Sequence, residues 1–384
     1  MTRHLLGLLP GDGIGPEVVR EARRAAEAAA EIFGFELMWR EFPFGAGYYL
    51  EHGLVLPPSA LDDMAETEAL LLGAVGDPRV QPGPLEQELL LALRFHFDQY
   101  LNLRPARSFP GVPTPVELPD NRRLDAVVVR ENTEDLYMGL GGRGPGAWEA
   151  GLKAQRGLYG LTGRLALNLD PALETAFAVG LMTRPGAARI TRRAGELARR
   201  RGEKTITVAT KANAVPQLYG FWNEVTLETA AAEFPDLALD YQNVDALAYL
   251  LPRQPGDFGV ILCPNLFGDI ISDLLSALAG GLGLAASGNI GDNMAMFEPV
   301  HGSAPALAGT GRANPLATIL SMALLFGHLG EAAAAEALEA AVAGYLAGPD
   351  KPWELGGEDS TEAVGAKVIA KLKGGADGGN KKTG

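Results

Sequence analysis

Along the chain, short apolar stretches alternate with longer stretches in which apolar residues recur at helical spacing. Residues 4–9, 69–72, 126–129, 206–209 and 260–263 are compact runs rich in Leu, Val, Ile and Ala that read as strands, and residues 17–33 place apolar positions on one helical face. Pro16 stands in the first turn, where its missing N–H costs nothing, so this helix begins there. Alternation of strand and helix predicts an α/β protein with an at least partly parallel sheet. Pro- and Gly-rich breaks at residues 108–119 and 139–151 read as loops, the second opening into an extended or clasp-like excursion. Residues 192–201 read as a helix with a solvated basic face, and the alanine-rich residues 331–347 as a further helix. There is no internal repeat.

Size and composition narrow the function. With 384 residues, 47% of them apolar, the chain exceeds the span of one usual core and predicts one large or two coupled domains. A net charge of −14, with no basic patch interleaved with aromatics, argues against nucleic acid as a partner. An anionic small molecule would then have to be drawn in by local arginines. Cys263 is the only cysteine, which excludes an intramolecular disulfide and a cysteine-built zinc site and fits a reducing cytoplasm. The N-terminal apolar run is too short for a signal peptide, and no run approaches the ~18 residues of a spanning helix, so no membrane role is expected. Residues 374–384 are polar and glycine-rich and read as a disordered tail.

Four segments carry candidate chemistry. In Asn265-Leu266-Phe267-Gly268-Asp269-Ile270-Ile271-Ser272-Asp273 two carboxylates four apart share one helix face, an arrangement of hard oxygen ligands that suggests a divalent cation, with a capped or solvated helix face as the lesser reading. Pro10-Gly11-Asp12-Gly13-Ile14-Gly15-Pro16 invites a dinucleotide-binding reading, yet proline replaces the third glycine of the Rossmann fingerprint, and a tight turn fits as well. Helical spacing sets Leu90 and Leu91 beside Arg94, an apolar face next to a cation that would suit an alkyl-bearing carboxylate substrate held by Arg94 and Arg104. The same spacing serves core leucines with surface arginines. Arg130 emerges at a strand end, where open α/β sheets place ligand-binding groups.

Taken with Glu298-Pro299-Val300-His301-Gly302-Ser303-Ala304-Pro305 and Asn314-Pro315, these segments resemble, in order and spacing, the decarboxylating isocitrate and 3-isopropylmalate dehydrogenases. The resemblance implies an isopropylmalate-dehydrogenase-like, non-Rossmann two-domain α/β fold with a mixed parallel and antiparallel sheet. Residues 1–101 and 258–373 would form the cofactor-binding domain, and residues 102–257 the substrate and dimerisation domain of a homodimer with shared active sites. It implies Mg²⁺ or Mn²⁺ on Asp269, Asp273 and, from the partner subunit, Asp245. Substrate would meet Leu90, Leu91 and Glu86 at its alkyl group and Arg94, Arg104 and Arg130 at its carboxylates, with Lys211 relaying the hydroxyl proton and Tyr137 donating one to the enol. Ile14, Glu298, His301, Gly302, Ser303, Ala304, Pro305, Ala306 and Asn314 would bind the cofactor.

Four positions depart from the family pattern. Asp135 replaces a glycine, and Thr210 replaces the histidine or aspartate beside the lysine. Ala306 and Leu307 stand where NAD-dependent members carry an aspartate and NADP-dependent members lysine and tyrosine, so NAD is favoured but relaxed selectivity towards NADP is expected, with Arg312 available to a 2′-phosphate. The leucines favour 3-isopropylmalate, converted to 2-oxo-4-methylpentanoate and CO₂ in leucine biosynthesis. Malate or tartrate is the alternative substrate class, and a non-catalytic regulatory paralogue the alternative function.

Overall fold

A computed structural model of the protein describes residues 1–81, 83–116 and 123–379. The chain opens with β1 (Arg3–Gly11), α1 (Gly15–Phe33), β2 (Glu36–Glu41), α2 (Ala46–His52), α3 (Ala60–Ala65) and β3 (Ala69–Ala74). Pro16 lies in the first turn of α1, and Gly34 ends it at φ 79°, its N–H bonding Ala30 O at 2.9 Å. The buried face of α1 is built from Ala22, Ala25, Ala26 and Ala29, whose small side chains admit close neighbours. Every residue of β3 is buried, as befits a strand covered on both faces.

After a π-helical turn (Glu86–Leu91) come α4 (Ala92–His96), β4 (Leu101–Arg107) and β5 (Asp125–Glu131). Four strands follow, β6 (Gly141–Pro145), β7 (Trp148–Gln155), β8 (Gly160–Leu167) and β9 (Glu174–Ala178), pairing antiparallel as β6 with β9 and β7 with β8. The stretch 139–151, expected as a loop opening into an extended or clasp-like excursion, carries ribbon strands. Alternation resumes with α5 (Arg184–Arg201), β10 (Thr205–Thr210), α6 (Phe221–Glu233), β11 (Ala238–Asn243), α7 (Val244–Arg253), β12 (Val260–Cys263) and α8 (Asn265–Ala279). The chain continues through β13 (Ala286–Ile290), β14 (Ala295–Pro299), α9 (Leu316–His328), α10 (Ala332–Leu346) and α11 (Thr361–Gly379).

Two compact units result. The first comprises Met1–Leu93, Arg104–Leu124 and the chain from Leu275 onward, and the second Arg94–Leu103 with Asp125–Leu274. In the first, strands run in the order β13-β14-β3-β1-β2, parallel except that β14 is antiparallel to β13. Its core joins α1 to Leu316, Ile319, Met322 and Phe326 of α9 and to Val364 and Val368 of α11. In the second, β11-β10-β12-β5 is wholly parallel. Cys263, at the end of β12, is fully buried, and burial pushes its thiol well above the ordinary range.

The unit boundaries differ from those drawn on the sequence, 1–101 with 258–373 against 102–257. Ile261 is in register with Val128 and Thr207, so β12 belongs to the second unit, while residues 104–124 belong to the first. One further expectation needs correction, and one is filled out by the contacts seen. Helix α11 runs to Gly379, past residue 374 where a disordered tail was expected, and residues 380–384 lie outside the described residues. The arginines of α5 are bonded across its surface as well as solvated: Arg192 pairs with Glu233, Arg199 with Asp236, and Arg193 donates to Tyr100 Oη at 2.9 Å. Residues 108–116 contain no helix or strand, as expected, and residues 117–119 of that loop lie outside the described residues.

Candidate active site

In the second unit, β5 ends at the residues that organise its chemistry. Arg130 is 1% exposed, its Nε donating to both O and Oδ1 of Asn265 at 3.0 Å and its Nη1 to Asp269 Oδ1 at 2.6 Å. Tyr137 donates its hydroxyl to the other oxygen, Asp269 Oδ2, at 2.7 Å, and the Arg130 guanidinium lies 5.2 Å from its ring centroid. Three residues expected at the site are thus joined through one carboxylate. Charge-assisted bonds of this kind are about twice as strong as neutral ones. Gly268 makes the approach possible, because a Cβ there would come within 2.5 Å of Arg130 Cγ. Asp273, one helical turn beyond Asp269, is exposed.

The turn between Arg130 and Tyr137 is held from within. Glu131 accepts from the backbone N–H groups of Thr133 and Glu134, and Glu134 from the N–H and hydroxyl of Thr183. Burial pushes both carboxyls up, and for Glu131 the neighbouring Glu134 adds to it. Asp135 is fully buried at φ 63°, ψ −147°, a backbone region that favours glycine. Its Oδ2 accepts the Leu266 N–H at 2.9 Å and its Oδ1 the Tyr219 hydroxyl at 3.2 Å. The aspartate therefore adopts a backbone conformation that favours glycine and binds the first turn of α8 to the turn bearing Tyr137. Sequence reasoning noted the replacement but not this clasp.

Lys211 follows β10 and donates to Asp245 Oδ1 at 2.5 Å, and this hydrogen bond holds the Asp245 carboxyl below its ordinary range. Asp245 is exposed, its side chain 68% accessible. Among the described residues, no group of three or more His, Cys, Asp or Glu side chains within the chain could hold a metal ion. One chain therefore places Asp269 and Asp273 on α8, carboxylates of the kind a hard divalent cation takes, with Asp269 engaged by Arg130 and Tyr137 and Asp245 by Lys211.

The leucine run departs from the spacing assumed for it. Residues 86–91 are π-helical, with i→i+5 bonding, so α-helical periodicity does not apply before Ala92. Leu89 and Leu93 are fully buried, whereas Leu90 and Leu91 are half-buried. Glu86 is exposed and accepts the Gly83 N–H at 2.8 Å. Arg94 and Arg104 are each 8% exposed, which removes the reading of them as surface arginines.

The first unit contains a cavity of about 440 Å³ on which Ile14, His301, Ala304 and Asn314 converge. Gly13, at φ 57°, lets Ile14 N reach Ser303 O at 2.9 Å, since a Cβ on Gly13 would lie 2.0 Å from that oxygen. Ser303 is buried, and Glu298 is buried with its Oε1 accepting from Asn289 Nδ2 at 2.8 Å. Gly302, Pro305 and Ala306 are exposed and do not line the cavity. Burial holds His301 below its ordinary range, and its Nε2 is buried without a hydrogen-bond partner. An apolar cavity of this size with an unsatisfied imidazole nitrogen fits one end of a dinucleotide. Sequence reasoning missed Gly283, Trp353 and Glu354, which also line it and which no motif announces.

Comparisons with known proteins agree with this architecture. The profile of the isocitrate/isopropylmalate dehydrogenase family matches residues 5–368. The 3-isopropylmalate dehydrogenase of Corynebacterium kroppenstedtii is 42% identical over 96% of this chain and 99% of its own length, and that of Clavibacter michiganensis 44% identical over 96% and 97%. Among solved structures, isocitrate dehydrogenase from Methylococcus capsulatus superposes with a TM-score of 0.82 at 33% identity, covering 96% of this chain and 99% of that one. TT0538 protein from Thermus thermophilus gives 0.81 at 34% identity, covering 96% and 68%. With a family profile spanning nearly all of it and relatives this similar over their full lengths, the chain belongs to the isocitrate/isopropylmalate dehydrogenase family and is an oxidoreductase.

Proposed function

We propose that the protein oxidises and decarboxylates 3-isopropylmalate, as a cytoplasmic homodimer whose active sites each draw on both subunits. The observation that carries this reading is the convergence of Arg130 and Tyr137 on Asp269. When bound, a nicotinamide dinucleotide supplies the hydride acceptor, and Mg²⁺ or Mn²⁺ supplies a Lewis acid for the hydroxyl and for the charge that develops as CO₂ leaves. Asp269 and Asp273 would hold the cation in one subunit with Asp245 of the other, and the cavity beside Ile14, His301 and Asn314 would take the adenosine end of the dinucleotide.

The remaining roles belong to side chains of this chain. Arg94, Arg104 and Arg130 bind the substrate carboxylates, and their burial strengthens each contact by excluding water. Leu90 and Leu91, half-buried, offer apolar surface to the isopropyl group, with Glu86 at its edge. Lys211 takes the hydroxyl proton. Tyr137, whose hydroxyl already points its proton at Asp269, returns one to carbon after decarboxylation. Steady-state kinetics across 3-isopropylmalate, isocitrate, homoisocitrate, malate and tartrate test the assignment. 3-Isopropylmalate is expected to give the highest kcat/KM; isocitrate or malate in first place would overturn the substrate reading.

A further inference from the structure

The hairpin formed by β7 and β8 is not held to the protein by its faces. Its strand residues are exposed or half-buried apart from Ala154, so hydrophobic burial does not account for its place. What enters the interior is the turn. Arg156 and Tyr159 close it, the Arg156 N–H donating to Tyr159 O at 2.8 Å. Gly157 within it fits where a Cβ would come within 2.3 Å of Asp98 Oδ2. Arg156 itself is 5% exposed.

A guanidinium in the interior must have its donors answered, and burial lowers the pKa of this one. Among the described residues its side-chain hydrogen bonds end on backbone carbonyls and none on a carboxylate. Nε donates to Thr133 O at 2.8 Å, Nη2 to Met138 O at 3.0 Å and Nη1 to Gln155 O at 2.8 Å. The Phe95 ring covers the face of the group, its centroid 3.5 Å from Cζ. Thr133 and Met138 stand on the two limbs of the segment that carries Tyr137. One rigid planar group with donors on two edges fixes the spacing of those limbs, which a lysine, a single point of charge, cannot do. Tyr137 therefore donates to Asp269 Oδ2 from a segment gripped on both sides.

We infer that Arg156 is a positioning residue for Tyr137: the β7–β8 turn delivers its guanidinium to the two limbs so that the tyrosine hydroxyl stays aligned for its proton transfer. The inference rests on the reading of Tyr137 as the proton donor. In that step the Tyr137 O–H bond breaks, a C–H bond forms at the carbon that has lost CO₂, and the phenolate left behind is reprotonated from solvent.

Hydride transfer precedes that step, so the two separate in time. Rapid mixing uses saturating Mg²⁺, nicotinamide dinucleotide and whichever hydroxy acid of the kinetic panel the native protein turns over fastest. Arg156→Lys is expected to form its first equivalent of reduced nicotinamide at the native rate and then to turn over about tenfold more slowly. In a Tyr137→Phe background the same substitution is expected to cause no further loss of kcat. Native turnover in Arg156→Lys, an equal slowing of both phases, or losses that add in the double variant would overturn the inference while leaving Tyr137 as the proton donor. Native turnover in Tyr137→Phe would overturn the two together. Arg156→Gln takes the place of Arg156→Lys if the latter does not fold, and loss of folding in both overturns the positioning role in favour of a stabilising one.

Discussion

Asp135 is a residue whose side chain and backbone conformation conflict. Its left-handed φ costs on the order of 1–3 kcal/mol for a non-glycine residue, while the hydrogen bonds it accepts from Leu266 and Tyr219 would each cost roughly 1–3 kcal/mol to leave unmade inside the protein. Two such bonds outweigh the strain, but removing the carboxylate also removes the cost of burying it, which pushes its pKa up, so Asp135→Gly is expected to change thermal stability little. Activity is different, because the same substitution frees the first turn of α8 from the turn bearing Tyr137. A loss of roughly threefold to tenfold in kcat with near-native melting is expected; an unchanged kcat would show that the clasp does not govern site geometry. His4 gives a second residue-level expectation. Its burial alone would lower its pKa, but bonds to Glu68 at 2.8 Å and Glu331 at 3.3 Å outweigh that and raise it above 6.5. The folded state therefore holds this proton more tightly than the unfolded chain. The resulting stabilisation is complete below 6.5 and is lost as pH rises through the raised value. Denaturation curves from ~pH 6 to ~pH 9 should show this loss in the native protein and not in His4→Gln; equal slopes would remove His4 as the cause.

At the scale of elements, what was legible was what periodicity and local chemistry determine. The strands at 4–9 and 260–263 and the helix from Pro16 to Phe33 follow from apolar runs and turn residues, and each appears within a few residues of its expected bounds. The π-helical turn was not legible, since one extra residue per turn leaves no mark in the composition of Glu-Gln-Glu-Leu-Leu-Leu. The extended excursion expected at 139–151 is a set of ribbon strands, though glycine, which usually signals a loop, hid where the strands begin. Gly142 is instead required there: a Cβ would come within 2.6 Å of the Trp148 ring. The candidate site was readable where residues near in sequence act together, as in Arg130 to Tyr137. Trp353 and Glu354 reach their cavity only through tertiary folding, and no spacing rule links them to Ile14.

For the whole molecule, the strongest expectation concerns assembly. Lys211 and Asp245 are paired with each other, and the chain alone supplies no cluster of three metal-binding carboxylates among its described residues. If a complete site draws Lys211 and Asp245 from one subunit and Asp269 from the other, Lys211→Met and Asp269→Asn should each be inactive alone. Random mixing of the two after dissociation should restore about a quarter of native activity, because half the dimers are mixed and each has one intact site. No recovery would mean that each subunit completes its own site. Such experiments need a way to follow each subunit, and the chain provides one. Its sole sulfhydryl, Cys263, is sealed in β12 and kept protonated, so maleimides and oxidants will pass it by. A cysteine engineered at any exposed position would then accept a dye or spin label with no background, without first removing a native side chain.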